Sequence, residues 1–188
     1  MKIEKTGLDG VVALVPRRFG DDRGFFAETY SLRAYRDAGI SVEFVQDNHS
    51  LSHRVGTLRG LHFQAPPKAQ DKLVRCGRGA IFDVAVDIRR GSPTYGHWVG
   101  RELSAENGVQ LFVPKGFAHG FATLLPDSEI VYKCSDYYAP EAEGAVRWDD
   151  PTLGIEWPLA GEPVLSGKDA GAPYLADFTS PFVWEIAK

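Results

Sequence analysis

Residues 81–88 read Ile81-Phe82-Asp83-Val84-Ala85-Val86-Asp87-Ile88. Phe82, Val84, Val86 and Ile88 alternate with Ile81, Asp83, Ala85 and Asp87, which is the two-residue period of a β-strand. One face is wholly apolar and the other carries two carboxylates. Working outward, shorter runs of the same kind occupy residues 11–15, 25–30, 73–76, 98–103, 109–113, 119–125 and 130–135, with Gly, Pro, Asp or Asn between most of them. The main helical stretch, residues 32–38, has Ser31 as its N-cap and Gly39 behind it. The 20 Gly and 12 Pro are spread along the chain and do not gather in a linker. Many short strands with a few short helices predict an all-β barrel or sandwich, one domain over residues 1–188.

Composition excludes several classes. The 188 residues carry 21 Lys+Arg against 25 Asp+Glu, a net charge of −4, and 44% are hydrophobic. That apolar fraction supports a packed core and argues against global disorder. The acidic balance argues against a nucleic-acid surface. No apolar run approaches the roughly 18 residues of a membrane helix. Met1-Lys2-Ile3-Glu4-Lys5 does not resemble a signal peptide, so a cytoplasmic location is expected, with no membrane partner. Cys76 and Cys134 lack a CxxC spacing and are expected to pack as reduced, small hydrophobes.

Reactive groups concentrate in residues 57–74, 113–121 and 130–138. Pro114-Lys115-Gly116-Phe117-Ala118-His119 resembles the second motif of cupins, Pro-x-Gly-x-x-His. A metal-binding cupin also carries His-x-His and a nearby Glu. Here the place reads His62-Phe63-Gln64, and no Glu follows before Gly79. Two imidazoles and an amide suit a divalent transition metal poorly. The expectation is a cupin-type jelly-roll barrel that works through side chains alone, with no metal and no cofactor.

Those side chains suit removal of a proton from carbon beside a carbonyl. His62 has the basicity of a general base, Lys72 supplies positive charge for an enolate oxygen, and Tyr132 is a phenol able to return a proton from the opposite face. Arg59 suits a phosphate, and Tyr138 and Phe26 are flat enough to hold a base. Asp83 either faces solvent or turns into the pocket to pair with Lys72. On a regular strand Arg59 and His62 point apart unless Gly60 permits a bulge. His119 has a competing reading as a hydrogen-bonded core imidazole. His49, His53 and His97 read as surface or structural residues, and Trp98, Trp148, Trp157 and Trp184 as core or dimer contacts.

Longer stretches extend the pattern: Asp22-Arg23-Gly24-Phe25-Phe26-Ala27-Glu28, Phe44 through Ser50, Leu58 through Gln64, Asp83 through Arg89, Gly116 through Phe121, Trp148-Asp149-Asp150-Pro151 and Ser166-Gly167-Lys168-Asp169. In this order they resemble the dTDP-4-dehydrorhamnose 3,5-epimerase family of cupin-fold dTDP-sugar epimerases. The resemblance implies His62 as base with Asp169 behind it, Tyr132 as proton donor and Lys72 beside the C4 oxygen. It implies substrate contacts from Arg23, Phe26, Glu28, Gln46, Asp47, Asn48, Arg59, His119, Tyr138, Glu143 and Lys168; Asp83 joins this set as a candidate. It also implies a homodimer in which the segment around Arg23–Glu28 reaches the partner's site, and Tyr138 stacked on thymine. The implied reaction inverts C3 and C5 of dTDP-4-dehydro-6-deoxyglucose without metal or nicotinamide; inversion of C3 or C5 alone is the alternative. Phe63 stands where the family often has Tyr, and residues 51–55 are less typical than their flanks.

Overall fold

The computed structural model describes residues 1–184. Its strands are β1 (Lys2–Lys5), β2 (Val12–Val15), β3 (Arg18–Asp21), β4 (Gly24–Ala27), β5 (Gln46–Ser52), β6 (Leu58–Gln64), β7 (Lys72–Arg78), β8 (Ala80–Asp87), β9 (Trp98–Ser104), β10 (Gln110–Val113), β11 (Phe117–Thr123), β12 (Ser128–Cys134) and β13 (Glu143–Ala145). Two short helices, α1 (Leu32–Asp37) and α2 (Gly167–Ala170), complete the main elements. One sheet has the order β1-β2-β10-β7-β12-β5 and the other β13-β6-β11-β8-β9; β3 and β4 form a separate ribbon. The pairings within all three sheets are antiparallel. This is the predicted cupin-type jelly roll.

The core lies between the two large sheets. Val74, Cys76, Leu111, Val113 and Ile130 from the first meet Ile81, Ala85, Leu103, Phe117 and Phe121 from the second, all of them buried. Each of the Val, Leu, Ile and Phe side chains among them stabilises the fold by about 1.5–3 kcal/mol. Helix α1 covers the outer face of the six-stranded sheet, where Tyr35 and Ile40 pack on Leu14, Leu73 and Phe112.

Strand β8 departs from the simplest reading of its alternation. Its apolar face, Val84, Val86 and Ile88, is buried on the outside of the barrel beneath Leu153, Leu175 and Phe182 from the C-terminal segment. The face with the carboxylates looks inward. Asp83 and Asp87 have no exposed surface, so neither is an outward surface residue. Asp87 is held by Arg89, Ser92 and Thr94 at 2.6–2.9 Å, which makes it a loop anchor.

Two further differences have local causes. The strand expected over 25–30 ends at Ala27, where the ribbon with β3 stops. Strand β5, Gln46 through Ser52, lacks an apolar stripe because its inward positions face a polar cavity. Among the described residues no helix is long and apolar enough to cross a membrane.

Candidate active site

A break in the β6–β11 ladder shapes the site. His119 pairs with His62, but Phe121 pairs with Arg59, so β6 carries one residue more than β11 over this interval. The extra residue lies at Gly60, whose φ is +128°. A Cβ on Gly60 would stand 2.5 Å from Gly120 Cα, and one on Gly120 would stand 2.7 Å from the Arg59 carbonyl oxygen. Only two glycines let the backbones approach this closely. The shift cancels the parity conflict: Arg59 and His62 line one cavity of about 240 Å³ with Ser50, Lys72, His119, Phe121, Ile130, Tyr132, Ser166 and Asp169.

His62 is the best-supported basic group in this cavity. Its Nε2 lies 2.6 Å from Asp169 Oδ1. Asp169 is 3% exposed and sits on α2, whose N-cap is Ser166. The carboxylate accepts three donors: the His62 ring, the Ser166 hydroxyl at 2.6 Å and the Gly60 N–H at 3.3 Å. Burial pushes the Asp169 carboxyl up, but the bonds from His62 and Ser166 outweigh it and hold the group below its ordinary value. The anion therefore persists at neutral pH. It fixes the ring and favours the tautomer with hydrogen on Nε2, which leaves the lone pair on Nδ1.

Lys72 and Tyr132 come from the facing sheet, on the adjacent strands β7 and β12. The Lys72 ammonium is 3.4 Å from the His62 carbonyl oxygen. Burial pulls its pKa below the usual 10.5, while the negative fields of Cys134, Asp83 and Glu143 oppose that shift. Burial raises the Tyr132 phenol, so it stays protonated well above neutrality. Asp83 neither faces solvent nor pairs with Lys72: it binds His119, with Oδ1 2.8 Å from Nε2. Strands β8 and β11 set those two side chains diagonally on one face, with His119 opposite Ala85 and Asp83 opposite Phe121, and His119 is buried with Asp83 as a hydrogen-bonded imidazole.

An adjoining lobe shares His62, Lys72 and Tyr132 and adds Gln46, Asn48, Phe63, Gln64, Gln70, Tyr138 and Glu143. Gln46 accepts from the Tyr138 N–H at 3.0 Å and donates to Asn48 at 3.0 Å. Glu143 accepts from the Tyr138 hydroxyl at 3.1 Å and pairs with Lys168 at the rim. Gln64, where a metal-binding cupin has its second histidine, binds backbone instead: its amide donates to Lys68 O and Tyr137 O and accepts from Ala139 N. Among the described residues no three His, Cys, Asp or Glu side chains group as a metal site would require.

Not every expected residue reaches the cavity. Alternation along β5 turns Asp47 away from Gln46 and Asn48, and it pairs with Lys133 at 2.9 Å. Arg23, Phe26 and Glu28 are absent from both lobes. Arg23 folds back on Asp21, and Phe26 is 70% exposed on the β3–β4 ribbon. Gly60 provides the bulge that a shared orientation of Arg59 and His62 required, and Ser166, which sequence reasoning had not marked as functional, contributes through Asp169. The Ser-x-x-Asp spacing of a capped helix start was the available signal for Ser166.

Comparisons with known proteins identify the family. The family model for dTDP-4-dehydrorhamnose 3,5-epimerase matches residues 5–177. The dTDP-4-dehydrorhamnose 3,5-epimerase of Salmonella typhimurium is 54% identical over 176 residues, covering 93% of this chain and 96% of that protein. The crystal structure of the Legionella pneumophila dTDP-6-deoxy-D-glucose-3,5-epimerase in complex with dTDP-4-keto-L-rhamnose superposes with a TM-score of 0.94 at 46% identity, covering 99% of each chain. The Bacillus anthracis dTDP-4-dehydrorhamnose 3,5-epimerase with TDP and pyrophosphate bound gives 0.90 at 49% identity, covering 93% of this chain and 99% of that one. The chain belongs to the dTDP-4-dehydrorhamnose 3,5-epimerase family.

Proposed function

We propose that this protein is a carbohydrate epimerase that converts dTDP-4-dehydro-6-deoxy-D-glucose to dTDP-4-dehydro-L-rhamnose. The observation that carries the reading is the His62–Asp169 pair on one sheet side of a cavity whose other side bears Lys72 and Tyr132. His62 takes the proton from the carbon beside the C4 ketone. The C–H electron pair forms the enolate, whose oxygen carries the charge next to the Lys72 ammonium. Tyr132 then delivers its proton to the opposite face, and the carbon is inverted.

The magnitudes are adequate. A positioned base contributes about 10²–10⁴-fold, and one well-placed oxyanion donor about 2.7–4 kcal/mol. Asp169 orients the ring and stabilises the imidazolium that forms. Arg59 and Lys168 suit the diphosphate, and Tyr138 suits the flat face of thymine. His119, Gln46, Asn48 and Glu143 supply polar contacts around the sugar, and the buried Asp83 holds His119 from behind.

The working unit in this reading is a homodimer. Phe19, Phe25 and Phe26 stand exposed on the β3–β4 ribbon, and Arg23, Phe26 and Glu28 lie outside their own cavity. A ribbon of this kind can complete a second copy's site. The two cysteines are free and buried, which suits a reducing cytoplasm. One folded unit spans the chain.

The test is incubation with dTDP-4-dehydro-6-deoxy-D-glucose in deuterated water, followed by NMR. The reading expects deuterium and inversion at both C3 and C5. Deuterium at one centre alone would reassign the protein as a mono-epimerase, and no exchange at either centre would overturn the reading.

A further inference from the structure

We propose that Ser166 is a positioning residue that sets the basicity of His62 through Asp169, which makes the base a three-member relay. The proposal rests on the epimerase reading for its catalytic meaning and on the geometry alone for its electrostatic one.

The hydroxyl makes two bonds to the same residue. Asp169 N–H donates to Ser166 Oγ at 3.1 Å, the usual helix cap. Ser166 Oγ in turn lies 2.6 Å from Asp169 Oδ2. Because the carboxylate is ionised, the proton in that short bond belongs to Ser166, so the hydroxyl donates. Asp169 Oδ1 is taken by His62 and by Gly60 N–H. The two carboxylate oxygens therefore have separate duties: one faces the imidazole and the other is partly neutralised by Ser166.

The segment before Ser166 is tied to the strand that carries His62. Val164 N–H donates to Gly56 O at 2.9 Å, and Leu58 N–H donates to Val164 O at 3.0 Å. Ser166 follows two residues later, on the cavity lining. This strap places a helix of a single turn, and with it Asp169, against β6. A cap needs only the bond from the Asp169 N–H. The second, shorter bond adds nothing to capping, yet it withdraws charge from the carboxylate that faces the base.

The other ionisable groups around His62 are Arg59 from its own strand β6, Lys72 from β7, Glu143 from β13, Tyr132 from β12, His119 from β11 and Tyr138. None of them bonds to Asp169. Loss of the Ser166 hydroxyl thus acts on the ring through one carboxylate. The more concentrated negative charge on Asp169 then holds a proton on the imidazole more firmly.

The experiment compares Ser166→Gly, Ser166→Ala and Ser166→Thr in the full chain. Glycine at an N-cap costs only a few tenths of a kcal/mol relative to serine, so the Gly variant keeps the helix start and lacks the donor. The NMR titration of the His62 ring, assigned by its disappearance in His62→Asn, should move to higher pH in the Gly and Ala variants and return in Thr. In deuterated water, kcat/KM for exchange should fall roughly 10–100-fold in Gly and Ala, by analogy with the partners that orient metal-ligating histidines from behind. The acid limb of the profile should rise with the ring titration, and Thr should recover most of the rate.

An unmoved ring titration in Ser166→Gly would overturn the proposal, as would a rate loss that tracks the melting temperature with the acid limb unchanged. A wild-type protein that exchanges no proton would count against the epimerase reading, while the ring titration would still decide the role of Ser166.

Discussion

Asp169 Oδ1 lies 2.6 Å from His62 Nε2 although 107 residues separate the two along the chain. The strand that carries His62 and the one-turn helix that carries Asp169 meet on one side of the cavity. A buried carboxylate with three donors is held ionised, so it can orient an imidazole and stabilise its charged form.

The same bond has a pH signature. The folded-state pKa of Asp169 is depressed, so its contribution to stability is present above the ordinary value of 3.8 and is lost as pH falls through the lower folded value. Asp169→Asn should therefore lower the melting temperature at neutral pH, and the gap to wild type should narrow in acid below pH 3.8. Melting curves across that range check this; a gap that stays constant would mean the carboxylate is not held by charge-dependent bonds.

Lys72 should set the alkaline limit of activity. Its ammonium is lost at lower pH than an ordinary lysine's, because burial disfavours the charge. The rate should fall on a limb below pH 10.5. Lys72→Arg should move that limb upward, because a guanidinium stays charged, whatever its effect on the maximum rate. A pH–kcat profile with the same limb in both proteins would assign the limb to another group, with the raised Tyr132 phenol the next candidate.

Much of this was legible in the sequence, and the exceptions have physical causes. The alternation at 81–88 revealed a strand but not which way it faces, because the residues that bury its apolar side, such as Phe182, lie about a hundred positions later. The strand carrying His62 was obscured by the residue that makes it functional: Gly60 interrupts the period, and the resulting shift puts Arg59 and His62 in one cavity. Strand β5 lacked an apolar stripe because Gln46, Asn48 and Ser50 line polar space. Asp169 had no local signal linking it to His62; family resemblance alone supplied that partner. The Asp83–His119 bond follows from the β8–β11 register, which a single strand cannot disclose.

Gly60 should tolerate no side chain. Its positive φ alone makes a substitution cost about 1–3 kcal/mol, and the contact with Gly120 Cα adds to that. Gly60→Ala should lower the urea midpoint with little change in slope and reduce activity more than the stability loss explains, since Arg59 and His62 lose their common orientation. A variant as stable and active as wild type would contradict the tight-approach account.

The ribbon makes a prediction about mixed dimers. A Phe26→Ala, Arg23→Ala double variant and a His62→Ala variant should each be nearly inactive alone. After co-refolding, half of the dimers would be hybrids, each with one intact site, so about a quarter of wild-type activity should return if each cavity is completed by the partner's ribbon. Activity no greater than the sum of the two separate variants would show that the ribbon serves its own chain or no site at all.

The most direct measurement separates proton removal from proton return at the single-residue level. With dTDP-4-dehydro-6-deoxy-D-glucose in deuterated water, His62→Ala should lose deuterium incorporation by roughly 10²–10⁴-fold. Tyr132→Phe should still exchange protons and fail to invert the carbon. Undiminished exchange in the His62 variant, or full inversion in the Tyr132 variant, would contradict the two-sided proton transfer on which the account depends.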